Sequence, residues 1–165
     1  MVNRMNSVEP WRQPSWIEQT QRILDSFEKY LGRPLLERTG QPDEEARRLF
    51  EAPFIVVSHG TQADPIFNYG NRAALDLWEM TLEEWVILPS RLSAEPIVRE
   101  DRAELLARAL EKGYAADYRG IRVSKTGKRF LMEDAIIWNL VDGSGVRRGQ
   151  AATFAKWTPL EPRPA

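Results

Sequence analysis

Residues 130–145 read FLMEDAIIWNLVDGSG. The run from Phe130 to Val141 has the apolar content of a buried strand, and Asp142-Gly143-Ser144-Gly145 is a turn that sends the chain back. Glu133 and Asp134 stand side by side in its middle. Successive side chains on a strand point to opposite faces, so one of these carboxylates points into whichever face is buried. The even-numbered side, Phe130, Met132, Asp134, Ile136, Trp138 and Leu140, is apolar except for Asp134. The odd side, Leu131, Glu133, Ala135, Ile137, Asn139 and Val141, is smaller but still largely apolar. A half-exposed strand shows one plainly polar face, and this one shows none, so both faces need cover. An unpaired buried carboxylate is costly; the inward acid is therefore expected to have a cationic or amide partner, or to line a ligand pocket. Its bulky face-mates make Asp134 the inward one.

The neighbouring segments are strands too. Tyr114, Ala116 and Tyr118 alternate with polar or small residues, after which the apolar parity slips to Ile121 and Val123, with Gly120 at the slip as in a β-bulge. Ser124-Lys125-Thr126-Gly127 turns into the opening stretch, and Arg148 to Phe154 follows it. Three strands joined by tight turns predict an antiparallel meander. Two shorter strands, Phe54 to Ser58 and Ile66 to Tyr69, precede it, separated by His59-Gly60 and a turn. Between the two groups lie short helices. Asn71 can cap one that carries Ala74, Leu75 and Trp78, and Thr81-Leu82-Glu83-Glu84 has capping-box form. Leu88 to Pro96 reads as a loop, and Arg99 to Lys112 as a charged amphipathic helix with Leu105, Ala109 and Leu110 on its apolar side. Strand-strand, helices, then three strands is an α+β order: a five-stranded antiparallel sheet with short helices on one face.

The N-terminal part supplies the other lid. Residues 1–14 are polar and broken by proline, a loose arm. Ser15 can cap a helix in which Trp16, Ile17, Thr20, Ile23, Leu24, Phe27, Tyr30 and Leu31 recur at helical spacing, and Gly32 and Pro34 end it. A shorter helix spans Asp43 to Glu51. The stripe of the first helix is too large to leave in water, so it covers the second sheet face of its own chain or joins two chains as a homodimer. The organisation is an arm and helical extension over 1–52, a core over 53–157 and a disordered proline-rich tail over 158–165.

With 165 residues, 42% hydrophobic and 28% charged, the chain has the make-up of one globular domain plus an extension. A net charge of -1 leaves no footprint for nucleic acid or an anionic membrane. The lack of cysteine excludes disulfides, thiolate metal sites and a cysteinyl nucleophile or flavin adduct. No segment approaches membrane-spanning length and the start shows no signal-like apolar region, so a cytoplasmic protein is expected.

The residues PIFNYGNRAALDLWEMTLEEW, 65–85, resemble a PAS-type domain: a strand ending in Asn, a helix with an aromatic, then a Thr-x-x-Glu helix start. NYGNRAALDLWEMT, LPSRLSAEP, GYAADYRGIRVSKTGKRF and EDAIIWNLVDGSGVRRGQAATF, in that order, more closely resemble the stand-alone bacterial proteins of the MEKHLA-domain family. That family is regarded as PAS-like, and a related domain ends plant class III homeodomain leucine-zipper transcription factors. The resemblance runs from about Ser15 to Phe154. It implies a PAS-like sheet of five antiparallel strands and a ligand or interaction role, with no known reaction. The chain holds no homeodomain, zipper or kinase segment, so the plant regulatory role does not carry over. The resemblance also singles out Gln150, because PAS-type domains that hold a flat cofactor often place an amide there; the flavin photochemistry of that group needs a cysteine, which this chain lacks.

The pocket candidates are thus Asp134, Glu133, Tyr69, Trp78, Tyr118, Trp138 and Gln150. The aromatic members serve equally well as core. His59 is the single histidine, reads as a turn residue and has no second metal ligand in any motif, so no metal or haem is expected. Lys125, Lys128, Arg129, Arg147 and Arg148 sit at the meander turns, where solvated charge is ordinary. The functional expectation is a non-catalytic PAS-like sensory or interaction module with a small-molecule ligand of unknown identity between sheet and helices. The alternative is a small enzyme with Asp134 or Glu133 as general base.

Overall fold

Six strands carry the fold: β1 Ile55–His59, β2 Phe67–Gly70, β3 Tyr114–Val123, β4 Arg129–Val141, β5 Arg147–Phe154 and β6 Lys156–Pro159. The computed structural model describes residues 9–95 and 99–162, with side chains throughout except at 99–103, 105 and 106. The expected Leu105 contact therefore lies outside the described side chains. Every pairing is antiparallel, in the order β2-β1-β5-β4-β3, with β6 also on β4. The expected five-stranded sheet is present. The expected disordered tail is corrected at its start: Thr158 pairs with Leu131, Pro159 with Phe130, and Leu160 N–H donates to the Arg129 carbonyl at 2.9 Å. The reason is an open edge. β5 pairs with β4 only as far as Ile136, and β6 takes up the backbone groups of Phe130 to Glu133 that would otherwise be unpaired.

The pairing of β3 with β4 holds two bulges that cancel. Ala115 pairs with Ile137 and Tyr118 with Ala135, so β3 carries an extra residue; Gly120 then pairs with Met132, so β4 carries one in return. Left-handed backbone marks both places, Asp117 at φ 59° and Asp134 at φ 52°. Aspartate tolerates that conformation better than most residues because its short polar side chain can bond locally. The irregularity expected at Gly120 is present, between Tyr118 and Gly120 with the extra residue on β4, and a second one lies between Ala115 and Tyr118. A Cβ at 120 would lie 2.8 Å from the Tyr118 hydroxyl and 2.9 Å from an Arg122 nitrogen, so these side-chain ends would have to shift.

The β4 bulge flips the strand's parity and answers the question raised by the two adjacent acids. Phe130 and Met132 share the inner face with Ala135, Ile137 and Asn139, while Trp138 and Leu140 lie on the outer face. Asp134 absorbs the flip and points to neither layer.

Among the described residues, five α-helices cover the two faces: α1 Pro14–Leu31, α2 Pro42–Phe50, α3 Arg72–Trp78, α4 Leu82–Trp85 and α5 Arg99–Lys112. The last three lie on the inner side. Asn71 caps α3 through Ala74 N at 3.2 Å, and the same oxygen accepts from Val56 N while its amide donates to Leu49 and Phe54 carbonyls. Thr81 and Glu84 form the expected capping box on α4. On α5, Ala109 is buried but Leu110 is exposed, against expectation: one residue rotates the side chain off the sheet.

α1 lies on the outer face of its own sheet. Trp138 donates to the Ile23 carbonyl at 3.2 Å, Ser26 Oγ accepts from Val141 N at 2.9 Å, and the Phe27 and Trp138 rings meet edge-on at 4.9 Å. The apolar stripe is buried on the sheet of its own chain. Its cap differs from the expected one: Gln13 stands at the N-cap position and its side chain does not cap the helix, while Pro14 opens the helix with a preset φ. The arm is not loose from residue 10 onward. Pro10–Arg12 forms a 3-10 turn that buries Trp11 against Phe50 at 5.6 Å.

The turn between α1 and α2 is tied by charge. Arg38 donates to Glu45 at 3.0 Å, Glu28 at 2.6 Å and Asp25 at 3.1 Å. The Glu45 carboxylate, 2% exposed, also accepts from Gln21 and from the amides of Thr39 and Gly40.

Candidate functional site

The inner sheet face and its helices enclose a cavity of about 40 Å³. β1 contributes Val57 and His59, β5 contributes Gln150, Ala152 and Phe154, and β4 contributes Met132 and Ile137. Arg122 closes it from β3, and Phe67, Trp78 and Ser93 close it from the helical side. The wall is chiefly apolar. Trp78 is anchored by donating to the Ser93 carbonyl at 3.4 Å and by an edge contact with Phe130 at 5.2 Å.

A relay of amides fixes the orientation of Gln150 in this wall. The Ala109 carbonyl can only accept, so Asn139 turns its NH₂ toward it, at 3.1 Å. Asn139 Oδ1 then faces Gln150 and accepts from Nε2 at 2.9 Å. Gln150 Oε1 is left buried with no hydrogen-bond donor in the structure. Each member is positioned by the strand ladder, where Gln150 pairs with Asn139 on one side and His59 on the other. Gly149, at φ 150°, permits this closure: a Cβ there would sit 2.1 Å from the His59 carbonyl oxygen.

Of the sequence candidates, Trp78 and Gln150 line the cavity. Tyr118 stands beside it on the inner face and accepts from Arg122 at 3.5 Å. Tyr69 and Trp138 belong to the outer face. Tyr69 lies 4.7 Å from Trp16 under α1, where burial pushes its phenol pKa up. The two acids are a correction. Asp134 is exposed at the bulge, its carboxylate 3.4 Å from Lys156 Nζ, and it borders only a shallow outer groove with Phe27 and Arg33. Glu133, half-buried, accepts from the Thr158 hydroxyl at 2.7 Å. Neither lines the inner cavity. An exposed ion pair contributes about 0–1 kcal/mol, so Asp134→Asn should change stability by no more than about 1 kcal/mol. Asparagine keeps the tolerance for left-handed backbone. Urea denaturation checks this, and a loss of several kcal/mol would show that the carboxylate is structurally paired after all.

Two wall residues were missed in the sequence. His59 is 6% exposed, with Nδ1 2.9 Å from the Gly60 carbonyl oxygen, where a turn residue was expected. Arg122 is 5% exposed and faces inward. Beyond the irregularity at Asp117, Tyr118, Gly120 and Arg122 fall on the buried side of β3. The turn charges are mostly pinned: Lys125 to Glu84, Lys128 to Glu79, Arg129 to Glu95, Arg148 to Asp142. Among the described residues no group of three or more His, Asp or Glu side chains could hold a metal ion, and no helix is long and apolar enough to cross a membrane.

The architecture is shared with solved PAS structures. A PAS domain from Colwellia psychrerythraea superposes with a TM-score of 0.59 at 15% identity, covering 67% of this chain and 91% of that one. A light-oxygen-voltage domain from a study of a flavin analogue gives 0.56 at 19% identity, over 72% and 85% of the two chains. At sequence level the homeobox-leucine zipper protein REVOLUTA of Arabidopsis thaliana is 24% identical over 155 residues, 88% of this chain but 18% of that protein. ATHB-9 of the same plant is 30% identical over 98 residues, 59% of this chain and 12% of its own length. The chain therefore spans under a fifth of these plant relatives. The MEKHLA domain model matches residues 17–159, and the chain belongs to the MEKHLA-domain family, with a PAS-like fold.

Proposed function

We propose that the chain is a cytoplasmic sensory or interaction module without catalysis of its own, whose input is a small molecule held in the inner cavity. The carrying observation is Gln150, a residue of the apolar cavity wall whose buried Oε1 the amide relay leaves without a donor among the described residues. Leaving such a group unsatisfied costs about 1–3 kcal/mol, a cost that a ligand donor removes on binding. The PAS-like fold and the light-oxygen-voltage neighbours favour a sensory reading over a purely structural one. The two acids named for the enzyme alternative, Asp134 and Glu133, do not line the cavity.

A flavin does not fit the residues present. Ligand pockets for molecules of that size run to roughly 300–1,000 Å³. This cavity has about 40 Å³, and Phe67 stacked on Trp85 at 4.0 Å fills the adjoining space. Room for a few waters is room for a compact ligand of a handful of heavy atoms. Protein purified natively, then denatured, should release such a molecule in stoichiometric amount by mass spectrometry, and Gln150→Leu should release none. Equal recovery from both proteins, or none from the wild type under saturating extract, would count against a ligand-sensing role.

A further inference from the structure

Resting on that reading of the cavity, we infer that its ligand is a small organic anion with one hydrogen-bond donor, of the hydroxy-acid class, its carboxylate met by Arg122 and its hydroxyl by Gln150 Oε1. Arg122 lies on β3 between Ile121 and Val123, its guanidinium over the Tyr118 ring at 5.5 Å. Among the described residues its hydrogen-bond partners are the Ile121 carbonyl at 3.1 Å and the Tyr118 hydroxyl at 3.5 Å, both neutral. A guanidinium has five donors and stays charged at any ordinary pH. Burying it at 5% exposure with no carboxylate partner among the described residues is unfavourable unless something supplies the anion. Its planar fork matches a carboxylate in two parallel bonds.

The remaining wall narrows the choice. Among the described residues no aspartate or glutamate lines the cavity, so a ligand cation would find no counter-charge from them. Gln150 can offer only an acceptor, since its NH₂ is committed to Asn139. The ligand must therefore carry an anionic end and an O–H or N–H, on a body small enough for about 40 Å³. Gly120 is part of the same device: a side chain there would collide with the Arg122 guanidinium.

The test uses the full chain, refolded from urea to strip any bound molecule, with glycolate, its neutral analogue glycolamide, and acetate, each at about 10 mM. Glycolate should raise Tm by a few degrees, acetate by less, and glycolamide not at all. Arg122→Met should lose at least about tenfold in glycolate affinity. Without ligand, Arg122→Met should melt at the wild-type temperature or above it, because an unpaired buried charge has been replaced by an apolar chain of similar length. A ligand-free Tm several degrees below wild type would show that Arg122 is structural and overturn the assignment. Stabilisation by glycolamide but not glycolate would overturn the charge while leaving a ligand cavity in place. No shift with any of the three would also overturn it; the mass analysis of released ligand then decides the broader reading independently.

Discussion

Replacing Arg38 by Ala should lower folding stability by about 3–5 kcal/mol at neutral pH, the cost of leaving one member of a buried pair behind. The charge left behind is Glu45, 2% exposed, which in the native protein receives Arg38, Gln21 and two backbone amides. Burial opposes its ionisation, but those donors outweigh it and hold the carboxyl at about 2. That depression sets the pH dependence. A carboxyl with a lowered native pKa stabilises fully above its unfolded value of about 4.3, and the contribution is lost as pH falls toward the native value. The wild type should therefore weaken between about pH 4.5 and pH 2. In Arg38→Ala the donors that remain no longer include a cation, protonation of Glu45 relieves the desolvated charge, and the deficit against wild type should narrow on acidification. Urea denaturation at pH 6.5 and pH 3 checks both parts. A deficit below about 1 kcal/mol, or one that does not narrow with acid, would place the pair among ordinary surface contacts.

Deleting residues 1–36 should abolish cooperative folding in solution. The deletion bares the outer sheet face, where Trp16, Ile23, Leu24 and Phe27 are now buried against Tyr69, Trp138 and their neighbours. Each large side chain contributes about 1.5–3 kcal/mol on burial. Four of them match the whole stability of an ordinary domain, about 5–15 kcal/mol. The exposed face would also seek a partner, so aggregation or a new oligomer is expected by light scattering. The single change Phe27→Ala, at about 3–5 kcal/mol, gives the same direction without removing the turn that holds Glu45. A truncated protein with unchanged melting and unchanged mass would show that α1 is an accessory.

Much of the fold was legible because it is local. The capping box at Thr81, the Asn71 cap and the turn at 142–145 depend on side chains bonding backbone within a few residues. The two-sided apolar strand at 130–141 required a second lid, and α1 has the stripe to supply it. What periodicity cannot show is where a ladder gains a residue. The bulges at Asp117 and Asp134 leave the composition of each strand unchanged, yet each inverts every side chain beyond it. For that reason Asp134 was read as buried and is exposed, and Arg122 takes a place on the buried side of β3 that periodicity does not reveal.

The sequence by itself determined the order of elements as far as β5, the need for a lid on both sheet faces, the family and the absence of thiol chemistry, since these follow from periodicity, caps and composition. Only the tertiary structure decided which polar groups face the cavity. The inward set of Arg122, His59 and Gln150 comes from three strands, brought together by the β1–β5 and β4–β5 pairings and the paired bulges of β3 and β4. Register is a property of two chains side by side, settled by which pairing buries the most apolar surface and leaves the fewest backbone groups unpaired.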